Sequence, residues 1–371
     1  MQIRVSILKR IFKVYTILGK TFGTWLSPII TGLGNLLFKI LIFLGSIFDY
    51  LLLLPKLRST KIKNPILIVG NPRSGTTFLH HYLTSHGLGT GSQLWQMLFP
   101  SIILQKLIKP FLPMLEKISP TRHHSTAAHK TSLQSVETDD ASILFRYLDG
   151  FFLYGFILSW DSKDLFDWVD PKKRDTSKRD FKWLESMWKR VLISNNQTRI
   201  IGKLFSISAN MPKFLNHFPD SKILYMVRDP LSVIPSGLSL VTGVLDKKFG
   251  FWKLEKEKRD HFIKKLYEAL VELLKRFHYD WENNNIDKNK VMIVHFDRMM
   301  KDFDSLMSDI IDFTDSEMTD ELKADIKKTA DSQRSFQSKH KYDLEKFGLT
   351  EQKIKDDCHF IYKTFLNTNE N

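Results

Sequence analysis

The reading that decides the fold lies in residues 65–79, Pro65-Ile66-Leu67-Ile68-Val69-Gly70-Asn71-Pro72-Arg73-Ser74-Gly75-Thr76-Thr77-Phe78-Leu79. An uncharged run rich in β-branched residues breaks at Gly70, crosses Asn71-Pro72 and resumes from Gly75 into Thr76-Thr77-Phe78-Leu79-His80-His81-Tyr82-Leu83. That pattern predicts a buried strand, a tight loop and the start of a helix. The amides of Ser74, Gly75, Thr76 and Thr77 then converge on one concavity at a helix N-terminus, where the helix dipole favours negative charge. Arg73, Thr76 and Thr77 add side-chain donors, and the stretch reads as an anion cradle.

The loop is one residue away from the nucleoside triphosphate motif Gly-x-x-x-x-Gly-Lys-Ser/Thr, with Thr76 at the lysine position. Triphosphate chemistry needs that lysine on the β- and γ-phosphates. A nucleotide with a single 5′-phosphate carrying a sulfuryl group does not, and the planar fork of Arg73 suits a phosphosulfate oxygen edge.

A second stretch joins the first. Ser221-Lys222-Ile223-Leu224-Tyr225-Met226-Val227 reads as another buried strand that runs into Arg228-Asp229-Pro230-Leu231-Ser232-Val233-Ile234-Pro235-Ser236. Asp229 and Pro230 fit the cap and first position of a helix. An arginine at the strand end and a serine two turns into the helix can close on one phosphate from two sides. Together the two stretches resemble the sulfotransferases of P-loop fold that use 3′-phosphoadenosine 5′-phosphosulfate (PAPS). The resemblance covers roughly residues 65–362. It implies that the first loop holds the 5′-phosphosulfate and that Arg228 and Ser236 hold the 3′-phosphate.

The same resemblance suggests further site residues. Arg199-Ile200-Ile201-Gly202-Lys203 is a candidate strand whose terminal Lys203 matches a lysine over the bridging oxygen, although Leu204-Phe205-Ser206 stands where the family commonly has Ser-Pro. A cation fixed there stabilises charge developing on the leaving phosphate. The acidic cluster Glu137-Thr138-Asp139-Asp140 offers a general base for an acceptor hydroxyl. Glu137 is the positional match and Asp140 the next, while His124 and His129 are rivals; the acids also suit the cap of a helix starting near Asp140. Lys339 and His340, with Arg334, fall in a basic segment resembling the loop that folds over the nucleotide. The histidines and acids here lack metal-ligand spacing, and no metal is required.

The net charge is +14, and residues 1–63 supply most of it, with ten lysines and arginines against Asp49 alone. The same segment holds the most apolar part of the chain, from Trp25 to Leu54. Interleaved cations and hydrophobes favour an anionic membrane surface over nucleic acid. Lys39 and Asp49 interrupt the run, so a spanning helix, an interfacial helical pair and a helical lid on the catalytic domain all stay open. Sidedness is equally open. The single cysteine, Cys358, excludes an intrachain disulfide.

Between the two loops, Leu88–Gln96 is expected as an inner strand, Ser101–Ile118 as a helix broken by Pro110 and Pro113, and Trp168–Arg190 as an amphipathic helix; after the second loop, Phe251–Trp281 is expected as a long charged amphipathic helix. The aromatic run Ile143–Phe156 fits core helix or an apolar acceptor pocket. The expected fold is a three-layer α/β architecture with a central parallel sheet, residues 61–371 forming the catalytic domain and residues 1–60 a membrane-associated helical segment. The expected partner is a small-molecule, lipid or carbohydrate acceptor. Two other functions compete: a kinase-like phosphotransferase, opposed by the missing lysine, and a membrane-bound protein that grips nucleotide without turnover.

Overall fold

The computed structural model of the chain describes residues 2–119, 131–335 and 343–366. They fall into two compact units, one of residues 63–89, 199–239 and 267–371, the other of residues 1–62, 90–198 and 240–266.

The first unit holds the sheet. Four strands, β1 (Ile66–Val69), β2 (Ile201–Lys203), β3 (Lys222–Val227) and β4 (Val291–His295), lie in the order β2-β1-β3-β4. Every pairing is parallel: Ile66 stands opposite both Ile201 and Lys222, and Val227 opposite His295. The sequence of β1 is apolar throughout because helices cover both faces of a parallel sheet. Ile66 and Ile68, with Leu224, Met226 and Val294, pack against Leu79, Leu83, Met299, Phe303 and Leu306 on one side. On the other side the ring of Tyr225 stacks on Phe277, with Phe365 beside them. The expected three-layer α/β arrangement is therefore present.

β1 is the topological switch. Its neighbour β2 follows it on one side and β3 on the other, so the chain leaves β1 at the place where an open parallel sheet forms its crevice. Because all strands run the same way, the C-terminal ends of β1, β2 and β3 present Gly70, Lys203 and Arg228 along one edge.

The second unit is helical. Its first helix, Ile7–Phe22, begins at Ser6, whose hydroxyl accepts the Lys9 N–H at 3.2 Å. The next runs from Leu26 to Ser59, 34 residues, and packs on the helices Ile102–Ile108 and Ser177–Asn195. Gly45 permits the close approach, since a Cβ there would stand 2.5 Å from Cγ of Leu104. Asp49, expected to weaken this apolar run, is fully buried and accepts from Ser101 Oγ, the Ile102 and Ile103 amides and Arg190 Nε, each at 3.0–3.1 Å. It caps the neighbouring helix, supplying acceptors for N–H groups that a helix start leaves orphaned. Much of the remaining surface of the Leu26–Ser59 helix is exposed apolar side chain, including Leu37, Phe43 and Leu51. Among the described residues it is the one helix long and apolar enough to cross a bilayer.

Three sequence expectations need correction in detail. Leu88–Gln96 is not a strand: only Gln93 bridges Val136, and Leu94–Leu98 is helical. The cause is a capping box in which Gln93 and Gln96 satisfy each other's backbone amides, which starts a helix where the apolar run suggested extension. The helix expected from Trp168 begins at Ser177, and Trp168 itself ends a separate single turn over Phe166–Trp168. The long helix expected from Phe251 begins at Lys256, after a single turn over Phe251–Lys253. The break expected between Ser101 and Ile118 is present, as a tight turn over Lys109–Phe111.

Candidate functional site

The cradle is built where β1 ends. Gly70 has φ +139° and a Cβ on it would lie 2.7 Å from the Met226 carbonyl oxygen of the adjacent strand, so only glycine lets β1 turn there. Arg73 and Gly75 also take positive φ, 80° and 97°. A non-glycine residue in this region carries strain of about 1–3 kcal/mol that the surroundings must hold in place. They do so directly: Arg228 Nη1 donates to the Arg73 carbonyl at 3.0 Å, and Arg73 Nε donates to Ser236 Oγ at 3.0 Å. Ser74 closes the turn by donating through both its amide and its hydroxyl to the Asn71 carbonyl. The side-chain amide of Asn71 donates to the Leu270 carbonyl at 2.9 Å and fastens the loop from beneath. The helix Thr76–Ser85 follows at once, its early amides free of intrahelical partners by geometry.

The second stretch supplies the opposite wall. Arg228 leaves β3 and lays its guanidinium 3.9 Å from the centroid of Phe296. Asp229 accepts the Leu231 amide at 2.9 Å and the Tyr362 hydroxyl at 2.6 Å, which secures the start of the helix Pro230–Phe249. Ser236, in the second turn of that helix, is buried. At the end of β2, Lys203 is only 7% exposed and its ammonium donates to Thr77 Oγ1 at 3.3 Å. Thus Arg73, Ser74, Gly75, Thr76, Thr77, Lys203, Arg228 and Ser236 belong to one unit and ring the C-terminal edge of its sheet.

One neighbour had no sequence signal of its own. His80 is fully buried one turn into the helix after the loop, with Nε2 at 2.9 Å from the Ile201 carbonyl, to which it donates. Burial first, and then the charge of Lys203, push its pKa well down, so the ring stays neutral. Its spacing from Thr76 and Thr77 along the helix was the available clue, and it bridges the helix to β2.

The acidic cluster lies in the helical unit. Glu137 is buried, its amide donates to the Ser92 carbonyl and its Oε1 accepts from Ser135 Oγ at 2.9 Å. Asp140 accepts from Thr138 Oγ1 at 2.8 Å. Asp139 stands at the cap position of the helix Asp140–Tyr147, but its carboxylate accepts from Ser92 Oγ at 2.6 Å and from Trp188 Nε1 at 3.0 Å instead of capping. Asp139 is thereby tied into the core by Ser92 and Trp188, whereas the hydroxyl partners of Glu137 and Asp140 lie two residues away in the chain, at Ser135 and Thr138. Lys339, His340, His124 and His129 lie outside the described residues. Among the described residues no cluster of three histidine, cysteine or acidic side chains is placed to hold a metal.

Fold and loop together define a parallel α/β protein with a strand, a glycine-bearing loop and a helix at its sheet edge. The chain belongs to the sulfotransferase family, whose sequence model matches residues 65–320, and it is thus a transferase by descent. Two solved structures have the same fold. Sulfotransferase STF1 from Mycobacterium tuberculosis H37Rv is 16% identical with a TM-score of 0.65, over 95% of this chain and 90% of that one. Sulfotransferase STF9 from Mycobacterium avium is 15% identical with a TM-score of 0.64, over 88% of this chain and 82% of that one. No curated protein sequence matches the chain.

Proposed function

We propose that the protein transfers a sulfuryl group from PAPS to an acceptor hydroxyl and releases adenosine 3′,5′-bisphosphate. The observation that carries this reading is the meeting of Arg73, Arg228 and Ser236 through two hydrogen bonds at the end of a loop that has threonine where a triphosphate site needs lysine. PAPS, when bound, supplies an activated sulfuryl group on its 5′-phosphate. Arg73 and the amides of Ser74 to Thr77 would hold that phosphosulfate, and Arg228 with Ser236 the 3′-phosphate. The cradle fits such a group because its glycines admit close backbone approach and its side chains are donors or cations. Lys203, buried and bonded to Thr77, supplies in this reading the cation that would favour the charge growing on the leaving oxygen. Glu137 takes the acceptor proton. Lys339 and His340 belong to the same nucleotide site on the family resemblance.

Residues 61–371 act in this reading as the catalytic domain and residues 1–60 as a membrane-associated segment. Basic flanks and an exposed apolar helix support an acceptor that is apolar or lipid-like, or a carbohydrate carried on such a molecule. Calorimetric titration of the full-length chain with adenosine 3′,5′-bisphosphate, adenosine 5′-monophosphate and Mg-ATP tests the donor. Preference for the bisphosphate is expected, and tightest binding of Mg-ATP would overturn the reading.

A further inference from the structure

The helical unit has a cleft of about 420 Å³ that belongs to none of the machinery above. One wall is the Leu26–Ser59 helix, at Ile42 and Ser46; the other comes from Arg146 and Tyr147 and from the face of the Ser177–Asn195 helix. Four cations, Arg146, Arg179, Lys182 and Arg190, line it, and no carboxylate does. Two of the four are already matched: Arg190 by Asp49 at 3.1 Å, and Arg179 by Asp149 at 2.9 Å and Asp180 at 2.7 Å. Arg146 and Lys182 have no carboxylate partner among the described residues.

Two of the lining residues also carry a buried side-chain donor without an acceptor, Nη2 of Arg179 and Nε1 of Trp183. A buried donor left unsatisfied costs about 1–3 kcal/mol, so a cleft that keeps two is suited to an acceptor oxygen. The aromatic rings hold the guanidiniums in place: Arg146 lies 5.0 Å from the Trp183 centroid, and Arg179 lies 4.2 Å from that of Tyr147. On the helix wall, Phe43 and Ile47 follow Ile42 and Ser46 by one residue each and are exposed apolar side chains. A charged mouth thus adjoins an apolar ledge on the same helix.

We propose that this cleft binds a phosphate or sulfate monoester borne on an apolar tail, the anion meeting Arg146, Lys182 and the two unpaired donors, and the tail lying along the exposed side of the Leu26–Ser59 helix. Its chemistry is that of an anionic lipid headgroup, and it does not require the PAPS assignment. A fixed anion site is distinct from diffuse attraction of a basic segment to a charged surface, because it depends on particular side chains.

The test uses the full-length chain in dodecyl maltoside, with tryptophan fluorescence as the reporter. It is titrated with soluble dihexanoyl phosphatidic acid, dihexanoyl phosphatidylcholine and inorganic phosphate. Saturable binding of the phosphatidic acid is expected, at least tenfold tighter than inorganic phosphate, with no response to the choline lipid. The double variant Arg146→Gln/Lys182→Gln should weaken it at least tenfold, while Lys327→Gln/Lys328→Gln, an exposed pair on another helix, should leave it unchanged. Trp183→Phe keeps the ring and removes the unpaired donor; calorimetry should show a severalfold loss. Equal affinity for inorganic phosphate would overturn the lipid source, and an unchanged affinity in the Arg146/Lys182 variant would overturn the site. A separate flotation on phosphatidylcholine vesicles reports on membrane association, so failure there leaves the cleft result standing.

Discussion

Arg228 gives the sharpest test of the donor site, because its observed job and its proposed one are separable. One is internal: Nη1 holds the Arg73 carbonyl at 3.0 Å and the guanidinium rests 3.9 Å from the Phe296 ring, which keeps the loop in its positive-φ turn. The other is the proposed contact to a 3′-phosphate. In Arg228→Ala the second loss is that of a hydrogen bond to a charged group, about 1.5–3 kcal/mol. At tenfold per about 1.4 kcal/mol, this predicts adenosine 3′,5′-bisphosphate binding weaker by roughly 10- to 150-fold. Loosening of the loop acts on any nucleotide with a 5′-phosphate, whereas the 3′-phosphate contact acts on the bisphosphate alone. Calorimetric titration of wild type and variant with both the bisphosphate and adenosine 5′-monophosphate therefore separates them. The ratio of the two affinities should fall by most of the predicted factor. If both ligands weaken equally, Arg228 is a support for the loop and the 3′-phosphate assignment is wrong.

Three further outcomes are expected. Lys203→Ala should lower kcat by about 10²- to 10³-fold with little change in bisphosphate affinity, as for removal of one transition-state donor; a loss confined to KM for PAPS would refute that role. Glu137→Gln keeps an acceptor for Ser135 Oγ but no base, and should cut kcat by about 10²- to 10⁴-fold at unchanged nucleotide affinity, so full activity would remove Glu137 from the chemistry. Acid should destabilise the fold in two windows: neutral His80 makes stability fall as pH drops below its unfolded value of about 6.5, and Asp149 makes it fall again below about pH 4. Burial raises the Asp149 carboxyl, but Arg174, Arg10 and Arg179 outweigh it and hold the pKa down, so denaturant midpoints of Asp149→Asn should be lower at pH 7 and flatter between pH 5 and pH 3.

The sheet and its cradle could be read from local pattern because their information is local. A β-branched run ending at Gly70, with a second glycine and two threonines just after, states strand, turn and helix within fifteen residues. The strand that begins at Lys222 and the Asp-Pro after it do the same, and both fell within a residue or two of their places. The Leu88–Gln96 error has an equally local cause, a glutamine pair whose side chains settle a helix start without any of the usual Ser, Thr, Asp or Asn signals. Non-local partnership was what could not be read. Nothing near Asp149 announces that Arg10, 139 positions earlier, shares it with Arg174 and Arg179, and nothing near His80 announces Ile201. Such pairings depend on which helices meet, and sequence spacing carries no distance between them.

Asp49 shows how that limit alters a functional reading. As a sequence feature, a carboxylate in an apolar run counts against a bilayer-embedded helix, since an isolated charge there is costly. In the structure it is enclosed by four donors from Ser101, Ile102, Ile103 and Arg190, so its charge is spent inside the protein and does not face outward. The penalty that argued against lipid contact is therefore met by protein, and the helix face that remains is Leu37, Leu41, Leu44, Phe48 and Leu51, all exposed. The same stretch also continues into Leu107, Phe111, Met114 and Ile118 on the segment that Asp49 caps, spaced three or four apart and likewise exposed, with Lys106, Lys109 and Lys117 among them. Cations interleaved with an apolar stripe are the composition of a surface that rests in a headgroup layer. The residue that interrupts the apolar run is thus the one that anchors a second apolar element beside the first.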